Sequence, residues 1–278
     1  MEGTRAKPVI PLQALTVTQS LDMGMLAVRT HFKQIYKTAL PFTLVACTVA
    51  YALNHFFNIY SLLMFPLAWL LIVPMGDLLI YKVAERQWIV PIVITDHGRE
   101  RLAKSHRFSI LGWGLLRQVI QIALLALLII PGVIYFRRTL FLPERLYFDN
   151  PDSKIQQRVW KELRGGEAFS LDATAIGLGG YWMFLSFLFF LFLDLSCTLL
   201  FDFPLFFVRL GEDASFLYLS LYDPYVIVAA VASLMLVFPV IRMAWFFCYV
   251  SIRVKYDCWD IATSISREAE RLRISMED

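Results

Sequence analysis

The chain has 278 residues, 58% of them hydrophobic and 15% aromatic, with a mean hydropathy of +0.60 and a formal net charge of +3. A soluble globule is nearer half apolar, and a nucleic-acid binder carries a larger basic excess, so both classes are excluded. The composition implies an integral membrane protein.

Residues 1–38 form an N-terminal segment with no apolar core and cleavage site of a secretory signal, so none is expected to be removed. Within it Leu15, Leu21, Met25, Val28, Phe32 and Ile35 recur at helical spacing, with Arg29, Lys33 and Lys37 elsewhere. This pattern predicts an amphipathic helix leading to a membrane.

A membrane domain is expected over 39–252. Its first apolar run, Leu40–Phe57, is 18 residues long, close to the ~20 that cross ~30 Å of hydrocarbon. Spans are predicted at about 40–58, 61–81, 108–130, 132–148, 171–200 and 225–252. Pro66 and the Pro74-Met75-Gly76-Asp77 cluster should kink or unwind the second, because proline removes a backbone donor. The glycines Gly177, Gly179 and Gly180 in the fifth should let another helix approach closely.

Short amphipathic helices are expected at 95–107, behind a Thr95 or Asp96 cap, and at 152–164, between an Asn-Pro-Asp-Ser start and Gly165-Gly166. With the N-terminal helix, each precedes a membrane hairpin, an architectural repeat of three units. Residues 253–278 read as a cytoplasmic polar helix.

The fourth span, in IIPGVIYFRRTLFLPERLYF, decides the topology. If Pro131-Gly132 is the outer turn of a hairpin and 132–148 returns through the bilayer, all basic segments share one side. Among the 26 Lys and Arg, Arg117, Arg137, Arg138 and Arg242 then lie within spans and Arg209 alone faces the other side. With five crossings the basic residues would be roughly balanced. The positive-inside rule therefore predicts an all-α polytopic protein with about six transmembrane helices in three hairpins, N and C termini cytoplasmic. The choice puts Arg137 and Arg138 in hydrocarbon at about 2.5–3.5 kcal/mol each, so that crossing should be short, tilted and buried, not facing lipid all round.

The opening LQALTVTQSLDMGMLAVRTHFKQIYKTALPF, Ile130-Pro131-Gly132 through Arg137 and Pro143, IQQRVWKELRGG and the tail SIRVKYDCWDI resemble elements of one bacterial group. These are multi-pass proteins related to the membrane domain of glycerophosphoryl diester phosphodiesterases, with neighbouring uncharacterised families. The resemblance spans most of the chain through degenerate motifs, and Tyr256-Asp257-Cys258 stands where an acidic-glycine pair is usual. No phosphodiesterase catalytic domain accompanies it. The resemblance implies a multi-pass protein of a bacterial cytoplasmic (inner) membrane.

Intramembrane charges are the sharpest functional signal. Asp77, Arg117 and Arg242 are expected in the cytoplasmic half and Asp194, Arg137 and Arg138 further out. Matching depth suggests pairing Asp77 with Arg242 or Arg117, and Asp194 with Arg137 or Arg138. Such pairs fix helix register; alternatively, the residues line a path for an ion or anionic substrate, with Pro74–Asp77 as a hinge. Trp88, Trp160, Arg253, Lys255, Tyr256 and Trp259 are expected to anchor the protein at the headgroup interface.

No catalytic constellation stands out. His31, His55, His97 and His106 are isolated, the Asp96-His97 pair reads as loop polarity, and Walker A, GxSxG and GxGxxG motifs are absent. Cys47, Cys197, Cys248 and Cys258 form no ligand spacing and read as reduced packing residues. No metal or cofactor is expected; the lipid bilayer is the evident partner, with membrane-protein partners or a second copy beside it. The sequence favours a non-enzymatic scaffold or accessory subunit of an envelope-associated assembly, and, as the alternative, a transporter or lipid-handling protein.

Overall fold

A computed structural model describes residues 15–57, 64–86, 98–100, 102, 107–127, 129–139, 141–149, 160, 168–211 and 215–257. Among them the protein is all-helical, without a strand. The elements are α1 (Val17–Thr30), α2 (Phe32–Phe57), α3 (Met64–Arg86), α4 (Arg107–Leu127), α5 (Ile129–Thr139), α6 (Leu142–Phe148), α7 (Ala168–Phe201), α8 (Phe207–Gly211), α9 (Phe216–Tyr222) and α10 (Pro224–Asp257). Four of these, α2, α4, α7 and α10, are long and apolar enough to cross a membrane.

The last helix organises the bundle. α10 has 34 residues, about 50 Å of helix, and packs against α1, α2, α3, α7 and α9. Its second half is almost wholly buried, through Ile241, Met243, Ala244, Phe246, Phe247, Tyr249 and Val250.

α1 and α2 together run antiparallel along α10. The backbone N–H of Leu15 donates to Ser251 Oγ at 2.8 Å, the Tyr36 hydroxyl donates to the Leu236 carbonyl at 2.8 Å, and Cys47 lies beside Val228. α1 starts on a capping box in which Thr16 Oγ1 accepts from Gln19 N–H and Gln19 Oε1 accepts from Thr16 N–H. Its apolar stripe, Leu21, Ala27 and Val28, is buried, and a Cβ on Gly24 would lie 2.7 Å from the Ala244 backbone nitrogen. The expected amphipathic helix is present, but its apolar face is spent on α10 instead of on a lipid surface.

α3 stays helical through Pro74–Asp77, so the cluster does not unwind it. Gly76 and Asp77 are held there by partners on neighbouring helices, described below. On α7, Gly179 and Gly180 meet nothing within 4 Å and Gly177 only Val17 at 3.9 Å, so the glycines predicted to admit a close helix do not. α7 instead packs through Leu178, Trp182 and Leu185, with Trp182 Nε1 donating to the Leu234 carbonyl at 3.0 Å. The close approaches occur at Gly24 and Gly114.

The stretch after α4 departs most from the single predicted crossing at 132–148. Pro131-Gly132 lies inside α5, where proline in a first helical turn loses no needed donor. A Cβ on Gly132 would come within 3.0 Å of Leu125 Cα, so the chain has already doubled back before it. α5 has 11 residues and α6 only 7, separated at Phe141, whose φ of 54° is left-handed. α6 then runs beside the second half of α10, placing Glu144 at Arg242 and Asp149 at Arg253.

Beyond α7 the chain folds into a compact cap before α10. The Asp194 carboxylate accepts from the backbone N–H groups of Leu205, Phe206 and Phe207 at 3.1, 2.8 and 3.2 Å. Asp223 accepts from Tyr225 and Val226 N–H at the start of α10 and pairs with Arg209 at 2.6 Å. Of the other predicted amphipathic helices, 98–100, 102, 107 and 160 are described and helical; the rest, with His97, His106 and Cys258, lies outside the described residues. So do most of the 253–278 tail and the unit-to-unit repeat that depends on these segments.

Candidate functional site

α3, α4, α5, α6, α7 and α10 enclose a cavity of about 330 Å³. Its wall is mainly aromatic and aliphatic, with Trp69, Phe136, Phe141, Trp182, Phe238 and Trp245, yet it also carries Asp77, Arg117, Gln121, Glu144 and Arg242. Charges within an apolar bundle are costly unless paired, and here they pair one to one.

Arg117 on α4 spans the two oxygens of Asp77 on α3, at 2.7 Å to Oδ1 and 2.9 Å to Oδ2. Gly114 makes room for this pair: a Cβ there would lie 2.9 Å from Pro74 Cα and 3.2 Å from Asp77 Oδ2. Arg242 reaches past Gly76, where a Cβ would meet its Nε at 2.9 Å, and its Nη1 donates to Glu144 Oε1. The glycines on α3 and α4 therefore set the close packing that seats the two ion pairs.

Glu144 is wholly enclosed, at 0% exposed, and Arg242 is 7% exposed. One carboxylate oxygen is committed to Arg242. The other, Oε2, has no hydrogen-bond partner among the described residues although Glu144 lines the cavity. Gln118 Nε2, one turn beyond Gly114 on α4, is buried and equally without a partner, but Gln118 is not part of the cavity wall.

Next to the cavity, a second polar cluster fixes α6. Asp149 accepts from the Tyr249 hydroxyl at 2.5 Å, from Trp160 Nε1 at 2.7 Å and from Arg253 Nη1, with Arg145 Nε 3.5 Å away. Arg253 also donates to the Tyr249 oxygen at 3.0 Å and to the Phe148 carbonyl at 3.3 Å. The Trp160 ring stacks on Tyr249 at 6.1 Å between centroids, and the Arg145 guanidinium lies 4.8 Å over Trp160. Both oxygens of this buried carboxylate accept hydrogen bonds, so the cluster is a clamp with no evident chemical work of its own.

Among the charges expected from sequence, Asp77, Arg117 and Arg242 come together at the cavity. Asp194 accepts from three backbone amides in the 205–207 turn, and its expected pairing with Arg137 or Arg138 falls on side chains outside the described residues. The backbones of Arg137 and Arg138 belong to α5, and their side chains lie outside the described residues. Of the residues assigned to the headgroup interface, Arg253 and Trp160 are instead buried, at 3% and 5% exposed, because Asp149 draws both inward. Lys255 is exposed, and Trp88, Trp259 and the Tyr256 side chain lie outside the described residues.

Glu144 and Asp149, the acids that answer Arg242 and Arg253, escaped the sequence reading because LPERLYFD looks like a polar span end. The available signal was the arginine itself: a cation in an apolar helix requires an acid, and Glu144 follows the only proline in that segment. Comparisons with protein families, curated proteins and solved structures find no match.

Proposed function

We propose that this is a six-crossing protein of a bacterial cytoplasmic membrane, with both termini cytoplasmic, that takes a small molecule into the cavity between its helices. In this reading it is a transporter or lipid-handling protein. The crossings are α2, α3, α4, the α5–α6 unit, α7 and α10. Support for counting α5–α6 as one crossing comes from Asp149, which sits beside Arg253 near the end of α10 while Glu144 sits further back beside Arg242. The basic segments then share a side, as the positive-inside rule requires. The resemblance of the opening and tail segments to bacterial multi-pass proteins supports the compartment.

The observation that carries the functional reading is the cavity: about 330 Å³, mostly apolar, with a few convergent polar groups. This is the usual make-up of a small-molecule site. A helix bundle that needed only register would bring its charges together without leaving such a space.

Mass spectrometry of the intact protein, released from membranes under non-denaturing conditions, tests it. Wild-type protein should carry a bound small molecule. Gly179→Leu, which places a side chain in open space on the cavity wall, should lose it while keeping the fold. Identical spectra for both proteins would reject the reading.

The second reading is a scaffold or accessory subunit of an envelope assembly, with lipid and other membrane proteins as its partners. The exact matching of Asp77 with Arg117 and Glu144 with Arg242 favours it, since such pairs by themselves fix helix register.

A further inference from the structure

A second opening lies apart from the cavity and does not depend on it: a groove of about 670 Å³ between α1–α2 on one side and α7 on the other, floored by α10. We propose that this groove holds an acyl chain of an anionic phospholipid, whose phosphate is taken by Arg29, Lys33 and Lys37.

The sequence sets two rows side by side here. Phe32, Tyr36 and Leu40 recur every fourth residue and line the groove, while Arg29, Lys33 and Lys37 recur at the same interval beside them. His31 N–H donates to the Ala27 carbonyl at 2.9 Å and Ile35 N–H to the His31 carbonyl at 3.0 Å, so helical bonding carries the rows across the α1–α2 junction. Leu188 and Phe192 of α7 form the opposite wall, and Val237 of α10 lies on the floor.

The interior suits hydrocarbon. Tyr36 carries the only side-chain oxygen in the lining among the described residues, and its hydroxyl is committed to the Leu236 carbonyl at 2.8 Å. A chain of methylenes therefore displaces water from this groove without stranding a polar group. Phe32, Leu40, Leu188 and Phe192 stay exposed, so the groove opens sideways onto lipid. From Phe32 to Leu40 it runs about 12 Å, close to the ~15 Å of one hydrocarbon leaflet.

The head end suits an anion. Arg29, Lys33 and Lys37 are exposed, and none has an ion-pair or hydrogen-bond partner among the described residues. They stop where the apolar run of α2 begins at Leu40, the level at which basic side chains meet headgroups. Asp22, the only acid in α1 and α2, lies two turns before Arg29. A transmembrane helix seated in the groove would cover its apolar walls alone. A bilayer lipid supplies the hydrocarbon and the negative charge in one molecule, and clusters of basic residues beside a span recruit anionic lipids.

Native mass spectrometry of the full-length protein in detergent, titrated with phosphatidylglycerol and phosphatidylcholine of identical acyl chains, tests the assignment. Wild-type protein should take up one phosphatidylglycerol per chain in a saturable step, about tenfold or more tightly than phosphatidylcholine. The triple variant Arg29→Gln, Lys33→Gln, Lys37→Gln should lose that preference. Val237→Trp on the floor and Leu188→Trp on the wall should each remove the saturable step for both lipids, whereas Leu44→Trp, exposed on α2 outside the groove, should keep it. Gly179→Leu, in the cavity, should keep it too.

Equal affinity of wild type for the two lipids, or a preference that survives the triple substitution, would overturn the headgroup assignment. Saturable binding that persists in both Val237→Trp and Leu188→Trp, or that Gly179→Leu removes, would overturn the groove as its place. A lipid-free wild-type dimer that Val237→Trp turns into a monomer would give the groove to a second copy of the chain and overturn the proposal.

Discussion

Glu144 and Arg242 are 98 residues apart in the chain and meet as a buried ion pair at the wall of the cavity. One comes from a seven-residue helix and the other from the middle of the longest. The short helix α6 owes its position to this pair and to Asp149 on Arg253; with only 7 residues it has little stability of its own.

Glu144→Gln leaves the Arg242 guanidinium buried without a counter-charge and should destabilise the protein by about 3–5 kcal/mol, the range for breaking one side of a buried pair. Arg242→Glu should be at least as severe, since it sets two carboxylates together. The double variant Glu144→Arg with Arg242→Glu restores opposite charges and should melt well above Arg242→Glu alone in detergent. A double variant no more stable than the worse single would mean the pair does not form.

Glycine substitutions should separate packing from open space. Gly24→Ala and Gly114→Ala drive a methyl against the backbones of α10 and α3 and should each cost about 1–3 kcal/mol. Gly179→Leu meets nothing within 4 Å and should be neutral or slightly stabilising, since it also removes a helical glycine. Thermal denaturation of the three variants side by side checks the contrast.

Tyr249→Phe keeps the ring that stacks on Trp160 but deletes the hydroxyl that donates to Asp149 at 2.5 Å and accepts from Arg253 at 3.0 Å. A loss of about 1.5–3 kcal/mol is expected, as for a hydrogen bond to a charged group. Protease cleavage within 150–164 should accelerate in the variant, because Asp149 leads directly into that segment. Unchanged melting and cleavage would show that the clamp does not hold α6.

A reporter fused after Arg164 should be active only in its cytoplasmic form, and one inserted at 212–214 only in its external form. An external signal after Arg164 would require an odd number of crossings before it and would undo the pairing of α5 with α6 as one crossing.

Much of the helical layout is legible in the sequence. Apolar runs predicted at 61–81, 108–130, 171–200 and 225–252 correspond to α3, α4, α7 and α10 within a few residues, because a membrane-length apolar segment has few alternatives to helix. The Asp77 partnership with Arg117 was among those expected. The backbone partners of Asp194 were not legible, because they are brought round by the turn at Asp202, whose φ of 51° no local pattern signals. Arg253 and Trp160 were misread for a related reason: a basic or indole side chain near a span end suits headgroups equally well, and only the acid at 149 decides that they turn inward. The break at Phe141 is likewise invisible, since no glycine marks it.

The most direct test of the central claim is a side-chain-resolution density map of the protein extracted straight from its membrane into nanodiscs. The account predicts non-protein density in the cavity, larger than a water and flanked by Trp182 and Trp245. A map with no such density, in which Trp182, Trp245 and Phe136 close over the space, would contradict it.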